Sequence, residues 1–305
     1  LAEEILGRQI AGHRHELVIT TKAGFKMSDL PNEQWLSRKN ILLSCEQSLK
    51  RLKTDYVDIF FCHRFDPATP IEESLRALED LRRQGKILYP AVSNWSAWQT
   101  MKGLQVDKEL GFARITCLQP MYNLVKRQCE VEILPMAQAE KIGVISYSPL
   151  AAGMLTGKFR DKGITAGARL ADNPMYVARY SEESYLRDAN RFADYADDHG
   201  VEPAALAVAW VMSHPAITAP IIGSRNVEQL NGSLKALEIK MTPVWRAEID
   251  ALTPVPPPAT DRLEEIAGKG TGPYVGGAGA AGSRALQPST GSPSGSAGRR
   301  AAKRK

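Results

Sequence analysis

The fold is decided by residues 57–94, which read VDIFFCHRFDPATPIEESLRALEDLRRQGKILYPAVSN. This stretch begins with the β-rich apolar run VDIFFCHR (57–64) and ends with a second such run, LYPAVSN (88–94). Between them, residues 71–85 carry apolar side chains at spacings of three and four, which is typical of an amphipathic helix, and they end in basic residues and Gly, as helix C-termini prefer. A strand, a helix and a strand in direct succession predict two neighbouring parallel strands.

The same alternation extends to both sides of this unit. The other predicted strands are LVITTK (17–22), ITCLQPMYN (115–123), VISYSPL (144–150) and TAPIIGS (218–224). Segments with helical spacing lie between them, at 41–52, 98–110, 131–143, 181–200 and 203–214. The sequence therefore predicts an α/β protein with six parallel strands.

This local pattern fits two architectures, a closed barrel and an open sheet covered by helices on both faces. No GxGxxG motif follows any predicted strand, which counts against a Rossmann-type dinucleotide fold. Polar residues instead stand at or just past the C-terminal end of each predicted strand: Lys22, His63, Ser93 with Asn94, Gln119, Tyr147, and Ser224 with Arg225. In a (β/α)8 barrel these ends form one face, and that face carries the chemistry, so the pattern favours the barrel.

Composition divides the 305 residues into a body and a tail. Residues 1–252 carry the strand and helix pattern, 253–267 form a Pro-rich end segment, and 268–305 form a Gly/Ala/Ser/Pro tail, predicted to be disordered, with a basic end. The tail region from Ile266 onward holds seven basic and no acidic residues, which leaves the body at −2 of the net +5 charge. The body therefore gives no indication of nucleic-acid binding.

Other features narrow the class of protein further. No apolar run is long enough for a membrane span, and the opening LAEEILGRQI is charged rather than signal-like, so we expect a cytoplasmic protein. The four cysteines, Cys45, Cys62, Cys117 and Cys129, show no CxxC pair, and His13 and His15 fit a turn better than a metal site. We expect neither a metal nor a disulfide framework, and interpret the cysteines as packing residues.

Several motifs together resemble the aldo-keto reductases. They are AEEILG (2–7), TTK (20–22), SLKRLKTDYVD (48–58) followed by His63, VSNW (92–95), QPMYN (119–123), YSPLAAGMLTGK (147–158), and IIGSR (221–225) followed by Gln229. Their order and spacing match that family from Leu1 to about Leu252. The resemblance implies a (β/α)8 barrel that transfers hydride between NADPH and an aldehyde or ketone.

By the same resemblance, Lys22 and His63 look like the catalytic lysine and histidine. The family's tyrosine and aspartate lie in a D-T-A-x-x-Y-G segment directly before the helix that opens here as LAEEILG, and this sequence does not contain that segment. The expectation is therefore an N-terminally truncated member that lacks the first two strands and the proton donor. Lys22 would favour the anion of the missing tyrosine, and His63 would hydrogen-bond the substrate carbonyl.

The resemblance also implies a set of cofactor contacts, which departs from the family only after Gln229, where Gly232 and Ser233 replace a Glu-Asn pair. Ser93, Asn94 and Gln119 would hold the nicotinamide carboxamide, and Tyr147 would stack on its ring. The remaining positions are Ser148, Leu150, Gly153, Lys158 and Arg169 for the pyrophosphate, and Gly223, Ser224, Arg225 and Gln229 for the adenosine end. Arg225 at a helix start favours NADPH over NADH. Trp95 and the long segment 151–180 would set the substrate preference.

Three functional hypotheses follow from this pattern. The first is an NADPH-dependent reductase whose front is missing from the sequence. The second is a barrel that binds NADPH and couples its redox state to a partner such as a channel, without turnover. The third is an inactive fragment. A six-stranded arc of a barrel leaves two strand edges unpaired, which favours the first hypothesis over a natural short form.

Overall fold

A computed structural model describes residues 1–262, and within them the six predicted strands form one parallel sheet. The tail predicted at 268–305 and the end of the Pro-rich segment lie outside the described residues. The strands are β1 (Thr20–Ala23), β2 (Val57–Cys62), β3 (Ile87–Ser93), β4 (Cys117–Gln119), β5 (Gly143–Tyr147) and β6 (Ala219–Ile221). Each strand pairs with the next along the chain.

This arrangement confirms the predicted α/β class, and the sheet curls into a half-barrel consistent with a (β/α) barrel. That the whole barrel has eight strands, with its first two outside this sequence, stays a prediction.

Five strands are shorter than predicted, β2 by the two residues His63 and Arg64, and local reasons account for others. Leu17 and Val18 lie exposed before β1 because Arg14–Glu16 form a 3-10 turn. The strand β4 ends before Pro120, which has no N–H to donate to the ladder. The strand β5 ends at Tyr147 because Ser148 has a φ of +60°, which lies outside the β region. Only three residues of the predicted run 218–224 pair, as β6.

Helices alternate with the strands along the chain. In chain order they are α1 (Ala2–Gln9), α2 (Arg38–Leu52), α3 (Ile71–Arg83), α4 (Ala97–Leu110), α5 (Ile133–Ala139), α6 (Arg169–Asp172), α7 (Pro174–Arg179), α8 (Glu183–Asp198), α9 (Pro203–Met212), α10 (Val227–Leu234) and α11 (Pro243–Asp250). Local sequence sets their starts: Ser96 and Gln99 form a reciprocal capping box at α4, and the Ser37 hydroxyl caps α2.

The two faces of the sheet belong to different apolar clusters. On β2, Phe60 and Cys62 join the large core between sheet and helices, whereas Phe61 belongs to a small inner cluster with Ala91 and Cys117. Partly buried Ile59 and Ile145 pack against that inner cluster. Side chains on a strand alternate between faces, so the last inward position of each strand is fixed by this pattern.

The cysteines and the helices bear on two further expectations. All four cysteines are buried free thiols, which agrees with a packing role. Within residues 1–262, no helix combines the length and apolar character that a membrane crossing requires.

Candidate functional site

The predicted strand-end residues converge because they occupy inward positions at the same end of the sheet. His63 follows inward-facing Ile59 and Phe61 by the period of two, and Lys22 on β1 is in register with Phe61. Ser93 and Gln119 are also in register, each two residues after an inner-cluster residue of its strand. Tyr147 follows Ile145 in the same way on β5. The parallel strands thus deliver these five side chains to one edge.

Lys22 and His63 are electrostatic neighbours. The Lys22 ammonium lies 5.5 Å from the centroid of the Phe61 ring, and burial lowers the pKa of this lysine. Burial also lowers the pKa of His63 to about 4, with Lys22 and then Arg64 adding to the effect. His63 is therefore a neutral imidazole near pH 7, and neutral imidazole both donates and accepts a hydrogen bond.

Asn94 ties the ends of three strands together. Its backbone is left-handed, with a φ of +56°. Its amide nitrogen donates to the His63 carbonyl oxygen at 3.0 Å and to Ser93 Oγ at 3.1 Å. Its amide oxygen accepts from the Tyr147 hydroxyl at 2.7 Å. Both Asn94 donors are therefore engaged within the protein, which sequence reasoning did not anticipate.

Gln119 contributes the unpartnered group of this network. Ser93 Oγ donates to the Gln119 backbone oxygen at 2.8 Å, so Ser93 also serves the network internally. The Gln119 side chain is buried, and its amide nitrogen has no hydrogen-bond partner within residues 1–262. A buried donor without an acceptor is costly, and an amide oxygen of a ligand would satisfy it. This donor fits a carboxamide such as that of nicotinamide.

The loop after β5 has an unusual backbone. Positive φ angles occur at Ser148, Ala151, Ala152 and Gly153, with values of +60°, +49°, +58° and +92°. The Asn123 amide nitrogen donates to the Ser148 carbonyl oxygen at 3.0 Å and helps hold the turn. Non-glycine residues in this region are strained, and such strain clusters at functional sites. Leu150, predicted as a cofactor contact, lies in the same loop and is partly buried.

A cluster of cations lies beside that loop. A Cβ atom at Gly153 would meet Lys158 Nζ at 2.6 Å, so the lysine lies directly against this glycine. Burial lowers the pKa of Lys158, and Arg225 and then Arg169 lower it further, which brings three predicted phosphate ligands into one electrostatic group. Within residues 1–262, none of the three forms an ion pair with a carboxylate. This cation cluster suits a ligand with several negative charges.

The start of α10 completes this region. Gly223, Ser224 and Arg225 are exposed just before the Asn226 cap, whose side chain accepts from the Gln229 N–H. The Gln229 side-chain oxygen in turn accepts from the Arg225 N–H at 3.0 Å. Gln229 therefore stabilises the start of α10, which positions Arg225, in addition to any direct contact with a cofactor.

Trp95 lies deeper than a substrate contact requires. Its side chain is 4% exposed, it packs edge-on against Phe65 at 5.3 Å, and its indole nitrogen has no partner among the described residues. Trp98, which is 64% exposed, contacts the other side of Phe65 at 6.0 Å. A role for Trp95 in substrate choice stays a prediction, and in this position it would act by supporting Phe65.

Sequence reasoning missed several residues near the site. Phe25 packs edge-on against the His63 ring at 4.3 Å, and Arg64 stacks on aromatic rings beside it. From the segment 151–180, Arg179 lies over the Tyr147 ring at 5.7 Å. Adjacency to His63 in the chain was the available signal for Arg64, whereas nothing in the sequence pairs Phe25 or Arg179 with the strand ends.

An open groove of about 750 Å³ lies at the opposite end of the sheet. It is lined by residues of α1, α2 and the turns before β2 and β3, including Ile10, Leu49 and Lys86. It gathers none of the predicted site residues. We therefore place the candidate site at the carboxyl ends of the strands.

The fold and these residues define a parallel α/β barrel-type protein with its site at the strand ends. The sequence matches the aldo/keto reductase family model across residues 1–254. The chain belongs to the aldo/keto reductase family, as the motifs predicted.

Curated relatives agree with this assignment. A probable voltage-gated potassium channel subunit beta of Arabidopsis thaliana is 36% identical over 271 residues, which cover 87% of this chain and 79% of the relative. An uncharacterized oxidoreductase, YrpG, of Bacillus subtilis is 36% identical, with coverages of 79% and 74%. The L-glyceraldehyde 3-phosphate reductase of Escherichia coli is 35% identical, with coverages of 77% and 70%. Oxidoreductases are thus among the relatives, and the family indicates an oxidoreductase that uses a nicotinamide cofactor.

Proposed function

We propose that this protein transfers a hydride between NADPH and an aldehyde or ketone at the carboxyl ends of its strands. The observation that carries the proposal is the convergence on one edge of neutral His63, the Lys22 ammonium and the unpartnered Gln119 amide. The name of the Escherichia coli relative, a reductase of a phosphorylated aldehyde, supports the same reaction class. The substrate would be a small carbonyl compound, met in the cytoplasm.

The protein's own residues would bind and orient the cofactor, which supplies the hydride when bound. The Gln119 amide would donate to the carboxamide, with Ser93 and Asn94 holding the strand ends around it. The Tyr147 ring, fixed by its bond to Asn94, offers an aromatic face for stacking. Lys158 and Arg169 would bind the pyrophosphate, and Arg225 would bind the 2′-phosphate that distinguishes NADPH from NADH.

At the substrate, neutral His63 would donate a hydrogen bond to the carbonyl oxygen and orient it. Lys22 would stabilise the anion of the group that gives the proton, which lowers the pKa of that group. The resemblance assigns that role to a tyrosine of the D-T-A-x-x-Y-G segment, which these 305 residues do not contain. Where a form of the protein carries this segment, turnover is measured on that form.

The first test replaces the lysine of the pair. Lys22→Met should lower kcat for NADPH oxidation with 4-nitrobenzaldehyde by about 100-fold or more, because removal of one electrostatic contact at a reacting centre has effects of that order. Its Kd for NADPH, measured by quenching of NADPH fluorescence, should change by less than about threefold. That is well below the rise in Kd expected when a charge-assisted contact to the cofactor is lost. Lys102→Met, at an exposed lysine of α4, is the matched control and should leave both unchanged. Full turnover by Lys22→Met would contradict the assignment.

A second function is favoured by other relatives. Plant proteins named as probable voltage-gated potassium channel β subunits are 36% and 37% identical to this chain. On this alternative, the barrel binds NADPH beside a channel partner without turnover. NADPH binding with no turnover of any carbonyl tried would favour it. A folded, complete protein that binds no NADPH would contradict both functions and leave the inactive fragment.

A further inference from the structure

One cation beside the site has no role in the functions above. Arg64 directly follows His63, and its guanidinium lies 3.9 Å from the centroid of the Trp35 ring and 5.1 Å from that of Phe25. Phe25 in turn contacts the His63 ring. The same ring of Phe25 thus contacts both the Arg64 guanidinium and the His63 imidazole.

Arg64 has no anionic partner within residues 1–262. No carboxylate forms an ion pair with it there, and its buried Nε has no hydrogen-bond acceptor in the same range. The nearby Asp66 carboxylate is occupied: it accepts from the Leu36 N–H at 2.9 Å, the Ala68 N–H at 3.0 Å and the Thr69 hydroxyl at 2.7 Å. A partly buried guanidinium without a counter-charge is costly to maintain.

The Trp35 ring on which Arg64 stacks is held by a strained backbone. Trp35 has a φ of +67°, a conformation that a bulky residue rarely adopts. Its N–H donates to the Gly24 carbonyl oxygen at 3.0 Å, and its own carbonyl oxygen accepts from the Asn40 amide at 2.7 Å. Backbone strain that the surroundings enforce at this point is typical of a ligand-binding element.

We propose that Arg64 binds an anionic group of the substrate, a carboxylate or a phosphate, while Trp35 and Phe25, the rings on which it stacks, form the apolar surface beside that group. The inference rests on the proposed carbonyl reduction and names its substrate class. Stacking fixes the plane of the guanidinium, so its terminal nitrogens are pre-oriented for a bidentate contact. Because the Phe25 ring contacts both Arg64 and His63, one small aromatic aldehyde with its acid group opposite the carbonyl, such as 4-carboxybenzaldehyde, would reach both.

The test measures binding, so that it does not depend on turnover. The ligands are 4-(hydroxymethyl)benzoate and its neutral methyl ester, titrated into NADPH-saturated protein by calorimetry. Arg64→Met should weaken binding of the acid by about tenfold to 100-fold, the loss expected for a charge-assisted hydrogen bond, while the ester changes by less than about threefold. Arg64→Lys should recover only part of the affinity, because a lysine lacks the planar fork.

Arg76→Met is the matched control. Arg76 is an exposed arginine of α3 that stacks on Phe112 at 5.1 Å, away from the site, so its loss should affect neither ligand. Phenyl phosphate serves as a second probe: dependence on Arg64 for the phosphate but not for the benzoate would name phosphate as the anion. Equal weakening of acid and ester, or no weakening of any anion, would overturn the proposal.

A failure of the anion-binding proposal can be distinguished from a failure of the proposed function. NADPH binding and turnover of neutral 4-nitrobenzaldehyde are measured on the same protein. If these are present and Arg64→Met shows no anion-specific loss, the substrate class is wrong and the reductase stands. If NADPH does not bind, the proposed function itself is wrong.

Discussion

Replacement of Gly153 by alanine tests whether the loop after β5 positions Lys158 for the cofactor. A Cβ atom at this position would meet Lys158 Nζ at 2.6 Å and Cε at 3.0 Å, both well inside van der Waals contact. The φ of +92° adds backbone strain, which costs about 1 kcal/mol for a residue with a Cβ. Because the clash involves the end of a flexible side chain, we expect the lysine to move while the fold is kept.

The size of the binding defect follows from this displacement. If the ammonium moves from about 4 to about 5 Å from a phosphate, at an effective dielectric constant of about 20, the attraction falls by about 0.8 kcal/mol. The Kd for NADPH should therefore rise about fourfold. Lys158→Met removes the charge entirely and should raise the Kd by about tenfold or more.

Gly167→Ala is the matched control for strain. Gly167 has a φ of +85°, and no atom lies within 4 Å of the position that a Cβ would take, so alanine there adds strain without a clash. Both glycine variants should lose similar unfolding free energy in urea, but only Gly153→Ala should bind NADPH more weakly in a fluorescence titration. Equal NADPH affinity of the two variants, with Lys158→Met impaired, would refute the steric link. Unimpaired binding by Lys158→Met would refute the role of the lysine itself.

Two further predictions concern stability. Burial raises the pKa of Asp107 to about 6, and its Oδ1 has no partner in the described part of the chain. Above the unfolded-state pKa, the ionised Asp107 carboxylate therefore destabilises the folded protein. Asp107→Asn should raise the unfolding free energy, measured by urea denaturation, by about 1 kcal/mol at pH 7 but not at pH 4. An equal gain at both pH values would show that the buried charge is not the cause. Burial lowers the pKa of His214 to about 4, and its Nδ1 accepts from the Ala216 N–H at 3.1 Å. The unfolded state binds this proton at a higher pH than the folded state does. The unfolding free energy that depends on neutral His214 is therefore fully present above about pH 6.5 and is lost as the pH falls towards 4. His214→Gln should reduce that loss by about 1 kcal/mol, and an unchanged dependence of the unfolding free energy on pH would exclude His214 as the cause of the loss.

The sequence was sufficient for the strands and for the convergence of the strand-end residues on one edge of the sheet. Apolar runs separated by amphipathic segments located all six strands, and the polar residue that ends each run marked the edge of the candidate site. The boundaries of the strands were less predictable. The apolar runs 115–123 and 218–224 extend beyond β4 and β6, because residues that pack against loops are apolar like those that pair in a sheet.

Within the site, sequence identified residue types but not their partners. It assigned Asn94 directly to the cofactor, whereas the structure engages both amide hydrogens and the oxygen of Asn94 with His63, Ser93 and Tyr147. It assigned Trp95 to the substrate, which stays a prediction, and did not anticipate that this side chain is buried and packed edge-on against Phe65. Phe25, Trp35 and Arg64 come together from two loops, and such long-range pairings leave no periodic signal in the chain.

The alternation of the sheet between an outer and an inner apolar cluster also bears on how such a protein diversifies. Helix packing depends on outward residues such as Phe60, Cys62 and Val92, while the last inward positions are occupied by residues such as His63 and Ser93. A substitution at one of those inward ends alters what the edge recognises without disturbing the interface that keeps sheet and helices together. Ligand specificity can therefore change by substitution at the end of one strand at a time, while the packing between sheet and helices that stabilises the fold is kept.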